Sequence, residues 1–98
     1  MSTSGSVQVS AIELVEIIER LRGEDLKSFM ARRGDWAKPL LLWALRRYSG
    51  MTLNAVGEAV GGMHYTAVAM AIKRFEKRSG KEQNLRQRMQ AVRRKCEK

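Results

Sequence analysis

The sequence predicts an all-α fold, a small helical bundle of about five to six helices. Two observations carry that expectation. Apolar residues recur at spacings of three and four along most of the chain, and no alternation of apolar and polar residues runs longer than four positions. Helix start and stop residues also bracket each periodic run. Ninety-eight residues make one domain rather than two. With 44% apolar residues, including two Trp, two Phe and two Tyr, the chain fills one modest core.

Residues 1–9 are small and polar and read as a disordered tail, leaving 10–98 as the domain. Ser10 followed by Glu13 is a capping box. Ala11, Leu14, Val15, Ile18 and Leu21 then recur at helical spacing up to Gly23, which predicts a helix over about 11–22. "EDLKSFMARR" reads as a shorter helix with Leu26, Phe29 and Met30 on one side. Gly34 breaks it, and Asp35 is placed to cap the next.

That next segment, "WAKPLLLWALRRY", is apolar almost all round from Leu40 to Leu45, the pattern of a buried central helix. Pro39 sits in its first turn, where a missing N–H costs least, and Trp36, Trp43 and Tyr48 are assigned to the core. Thr52 caps a short helix over about 53–60, with Leu53, Val56 and Val60 inward. Gly61 and Gly62 form a turn, and a long helix follows over about 64–79, stopped by Gly80. The final basic segment carries Leu85, Met89, Val92 and Cys96 on one stripe.

Composition narrows the function. No stretch of eighteen apolar residues exists to span a membrane, and the N-terminus is not a secretory signal. One Cys and one His exclude a zinc finger, and the lone Cys96 points to a reducing cytosol. No carboxylate pair, nucleophile–base couple or metal cluster is present, so the chain reads as no enzyme, with no cofactor and no metal. The net charge is +9 but unevenly spread: residues 1–30 carry three Lys/Arg against five Asp/Glu, and 31–98 carry sixteen against five. The basic part attracts polyanions, with nucleic acid the first candidate, then an acidic membrane surface or an acidic protein.

"TLNAVGEAVGGMHYTAVAMAIKRF" has the logic of a helix-turn-helix over 52–79. Gly57 leaves room for close packing in the short helix, and the long helix buries Val68, Ala71 or Ile72, and Phe75. Its opposite face carries His64, Tyr65, Ala67 and Met70 first, then Lys73, Arg74, Lys77 and Arg78. A major-groove reading helix needs that order. Its first turn points at base edges, and cations on later turns reach phosphates without reading sequence. The same cations also fit a solvated helix end favoured by the macrodipole, and His64 fits a polar residue without a partner. Single-stranded and RNA partners want exposed stacking aromatics, which the pattern lacks.

"SGMTLNAVGEAVGGMHYTAVAMAIKRFEK" resembles the C-terminal DNA-binding domain of the DnaA family of bacterial replication initiators, whose matching string runs "SL..IG.A.GGRDHTTV..A". The strings "RGDWA", "RRY.G" and "HY.AV" resemble more closely the copy of that domain at the C-terminus of repeat-associated transposase-like proteins. The resemblance implies sequence-specific double-stranded DNA binding in a bacterial cytoplasm, at the nucleoid. It implies that Met63, His64, Tyr65, Thr66 and Ala67 meet bases and phosphates, and that Thr52, Leu53 and Asn54 meet a phosphate at the start of the short helix. Lys38 and Arg46 fall at backbone-contacting positions, with Lys73, Arg74 and Lys77 along the reading helix. Met30 stands where the family has a minor-groove arginine, with Arg32 and Arg33 just beyond it.

His64-Tyr65-Thr66-Ala67 replaces the family's Asp-His-Thr-Thr, which implies a different target box. No P-loop is present, so no nucleotide cofactor is expected, and strand cleavage would belong to a separate catalytic protein or domain. The competing reading is a protein-interaction or dimerisation module using helix 11–22 and the 85–96 stripe.

Overall fold

A computed structural model describes residues 9–31 and 36–96; the expectations for the tail before Val9, for Arg32 and Arg33, and for an Asp35 cap lie outside the described residues. Within them the chain is all helical, in the order α1 (Ala11–Arg22), α2 (Leu26–Ala31), α3 (Ala37–Tyr48), α4 (Leu53–Ala59), α5 (Tyr65–Ser79) and α6 (Gln83–Cys96). The all-α bundle and its element order are therefore as the sequence predicts.

Helix ends follow from local chemistry. Ser10 Oγ accepts the Glu13 N–H at 3.2 Å and opens α1, and the Gly23 N–H donates to Glu19 O at 2.8 Å to close it. Asp25 Oδ1 accepts from Ser28 N at 3.3 Å at the start of α2. The Ser28 side chain, and then its backbone N–H, hold the Asp25 carboxyl below its ordinary value. Thr52 Oγ1 accepts from Ala55 N at 3.1 Å and opens α4. Replacing Ser10 by Ala is expected to cost about 1 kcal/mol in denaturant unfolding and to leave duplex affinity at folded conditions unchanged. A weakened affinity in that variant would tie α1 to the DNA contact.

α3 is the hub. Leu40, Leu41, Leu42, Trp43, Ala44 and Leu45 are all buried, because α1, α2, α4, α5 and α6 each pack against this helix. Leu14 and Ile18 reach it from α1, Phe29 from α2, Val56 from α4, Val68 and Phe75 from α5, and Leu85, Val92 and Cys96 from α6. Trp43 holds Tyr48 edge-on at 5.6 Å between ring centroids and lies 6.4 Å from the Phe75 ring. Val9 is buried and donates its N–H to Tyr48 O at 3.1 Å, so it belongs to the packed domain rather than to the tail.

Trp36 departs from its core assignment. It is only partly buried, and its ring is flanked by the Arg88 guanidinium at 3.8 Å and that of Arg22 at 5.7 Å. Cation–π contact with two arginines lets an indole stop short of the interior. The 85–96 stripe also has a settled use: Leu85, Val92 and Cys96 are spent on the domain's own core, so they offer no partner surface.

Candidate nucleic-acid interface

The path from α4 to α5 is set by one backbone knot. Gly57 O accepts two N–H groups, from Gly62 at 2.8 Å and Met63 at 2.9 Å. That return is possible because Gly61 and Gly62 hold φ of 104° and 93°, a region side-chain-bearing residues avoid. It also needs Gly57 itself, since a Cβ there would run into the carbonyl oxygen of Met63. The sequence places this close approach between two helices. In the structure the nearest neighbour is the turn, with Val68 Cγ2 of α5 behind it at 3.4 Å.

α5 starts one residue later than the spacing predicts, because His64 is its cap. His64 Nδ1 accepts the Thr66 N–H at 3.2 Å. A ring accepting at Nδ1 carries its proton on Nε2, so the other edge of His64 is a hydrogen-bond donor. The Tyr65 ring leans on the imidazole at 4.6 Å between centroids. The first intrahelical bond runs from Val68 N to His64 O at 3.1 Å, so the Tyr65 and Ala67 N–H groups precede the hydrogen-bond ladder.

Past the cap, α5 divides cleanly. Val68 and Phe75 are buried, with Ala71 and Ile72 partly so. His64, Tyr65, Thr66, Ala67, Met70, Lys73, Arg74 and Lys77 are exposed. The helix therefore presents a donor, a phenol, a hydroxyl, a methyl and a thioether, followed by cations.

The remaining candidates separate into groups. Lys38 and Arg74 converge: with Arg78 they line a cleft of about 350 Å³ between the start of α3 and the middle of α5. Arg78, whose cleft position sequence reasoning did not single out, donates from Nε to Glu82 Oε2 at 3.0 Å. Its placement four residues after Arg74, on the same side of the helix, was the available signal. Met63 lines the same cleft but is partly buried and packs on the core, so its side chain is not part of the exposed reading strip. Leu53 likewise packs on the core, whereas its neighbours Thr52 and Asn54 are exposed. Arg46 Nη1 donates to Met51 O at 2.9 Å, bracing the loop that delivers Thr52 to α4.

An all-α helix-turn-helix domain with a basic, exposed second helix is the class that fold and surface define. The chain is 36% identical over 76 residues to the chromosomal replication initiator protein DnaA of Gloeobacter violaceus. That alignment takes in 76% of this chain and 17% of the initiator, so the chain spans about a sixth of the length of the curated relative it matches. It is thus a distant homologue of a DnaA protein and carries a DnaA-like domain. No family model matches the chain, and no solved structure matches it. No described helix is long and apolar enough to cross a membrane, and no three described His, Cys, Asp or Glu residues gather as a metal site.

Proposed function

We propose that this domain binds double-stranded DNA in a sequence-specific way, with α5 in the major groove. The observation that carries the reading is the exposed strip of α5. Its first turn offers hydrogen-bonding and methyl groups from His64, Tyr65, Thr66 and Ala67, and its later turns offer Lys73, Arg74 and Lys77. Distant homology to a replication initiator supports the same reading.

In this reading the His64 Nε2–H and the Tyr65 and Thr66 hydroxyls meet base edges, and Ala67 lets the helix approach closely. The Lys38, Arg74 and Arg78 cleft takes a flanking phosphate, and exposed Thr52 and Asn54 stand beside another. Met63 and Leu53 support the turn and the short helix rather than touch DNA. Arg32 and Arg33 add to the positive charge of the chain that draws it to DNA. The finer likeness belongs to this proposal too: the domain holds a site in a bacterial nucleoid while a separate catalytic protein or domain cuts.

Selection from a random duplex library at two salt concentrations tests it. A motif that survives the higher salt is the expected result; binding without a motif would leave only the cations at work. Tyr65→Ala with Thr66→Ala should relax the preference at the base pairs they read by about 1–3 kcal/mol for each base interaction removed. His64→Asn is expected to keep the melting temperature, because Asn caps well, while changing the preferred base.

A further inference from the structure

Three large apolar side chains stand exposed among the described residues: Tyr65 and Met70, each 49% exposed, and Ile12, 73% exposed. Tyr65 and Met70 belong to the α5 strip. Ile12 has no such role. It lies on the outward face of α1, away from buried Leu14 and Ile18. Glu16 follows one turn later on the same face, Glu13 lies beside it, and both are exposed. Arg20 follows a further turn along and, with Lys95 of α6, shares a shallow cleft with Glu13 and Glu16, so the isoleucine marks the acidic end of this face.

A cleft of the opposite character opens where α3, α5 and α6 meet. It measures about 320 Å³, with apolar walls from Trp43, Tyr48 and Met89 and with Arg47, Arg86 and Arg93 around it. Arg86 and Arg93 stand two turns apart on one face of α6. The α5 residues at this cleft are Glu76 and Ser79. Ser79 lies about 160° around the helix from Lys77, while Glu76 lies about 60° from Lys73, so the cleft adjoins the cation end of the strip without containing a residue of it.

We propose that this cleft receives α1 of a second copy of the chain, Ile12 entering between Trp43, Tyr48 and Met89 while Glu13 and Glu16 meet the arginines. The cations and the apolar walls both select this occupant. A phosphate backbone would match the arginines but would leave the apolar walls without a counterpart. An apolar anchor ringed by charges of complementary sign matches both features. The contact is small, so self-association is weak, with Kd on the order of 10⁻⁵–10⁻⁴ M. Its two surfaces differ, so the contact is heterologous: each bound copy leaves one cleft and one α1 face open, and copies add head to tail. Neither surface contains His64, Tyr65, Thr66 or Ala67, so the contact uses no residue of the reading turn.

Sedimentation equilibrium of the full chain, from about 10 µM to 1 mM, provides the test. The weight-average mass is expected to climb above the 11.2 kDa of one chain. Ile12→Asp and Arg86→Glu should each stay monomeric across that range. Mixed, they should form a 1:1 dimer and nothing larger, because one supplies the only intact cleft and the other the only intact α1 face. Ile12→Ser and Arg47→Glu repeat the experiment if either first variant melts earlier than the parent chain. A parent chain that remains monomeric at 1 mM overturns the proposal, as does a mixture that fails to pair. A monomeric parent whose Arg86→Glu variant loses salt dependence in duplex binding would assign the cleft to nucleic acid instead.

Discussion

Gly57→Ala is expected to destabilise the domain by about 3 kcal/mol and to remove duplex binding even under conditions where the variant remains folded. The usual sign of this substitution is the opposite: alanine in place of a helix glycine stabilises by up to about 1 kcal/mol. Space overrules propensity here. The added methyl meets the backbone carbonyl of Met63, which is not a flexible side-chain end able to swing aside. Relief requires moving Met63, and that strains the bonds from the Gly62 and Met63 N–H groups to Gly57 O. Those bonds set where α5 starts and how His64 and Thr66 are presented. Urea unfolding, with Gly80→Ala beside it, reads the effect. A methyl at Gly80 lies 3.4 Å from the Lys77 carbonyl oxygen, ordinary contact, so that control should change little. A Gly57→Ala midpoint equal to the parent's would mean the α4–α5 turn is not closed against this position.

The second large effect is electrostatic. Lys73, Arg74 and Lys77 changed together to Gln should weaken binding to every duplex by on the order of 100-fold at moderate salt. The slope of log K against log salt should fall by about 0.9 for each phosphate that is no longer neutralised. The melting temperature should hold, because all three side chains are exposed and dispersing like charge costs the fold nothing. Base preference should hold as well, because these residues follow the reading turn. Titrations at three or more salt concentrations give affinity and slope together. An unchanged slope would mean that this face of α5 does not lie against phosphates, and the major-groove placement would fall with it.

Helix positions were legible because they rest on local chemistry. Ser10, Thr52 and Gly23 act on backbone groups within four residues, and the Leu40–Leu45 run allows no exposed face. The exposed strip of α5 was legible for the same reason, since helical spacing alone puts Lys73 and Lys77 opposite Val68 and Phe75. His64 was visible as a residue of interest but not as a cap; its ring orientation depends on the turn that precedes it. Trp36 was misplaced in the core because Arg22 and Arg88 reach it from other helices, and the bond of Arg46 to Met51 O, made to a loop, left no periodic trace.

The two clefts were beyond the reach of any periodic pattern. Lys38 meets Arg74 and Arg78, and Arg47 meets Arg86, only because α3 crosses α5 and α6 at particular angles. By itself the sequence determined an all-helical domain, its element order, a helix-turn-helix with a basic outer strip, and an acidic first helix on a basic chain. The tertiary structure decided that His64 caps α5, that Leu85, Val92 and Cys96 of the α6 stripe serve the core, and which distant cations share a cleft. Hydrogen bonds and helical periodicity act over a few residues and so can be read along the chain. The juxtaposition of side chains far apart in sequence is fixed by how buried surfaces interlock, and only packing reveals it.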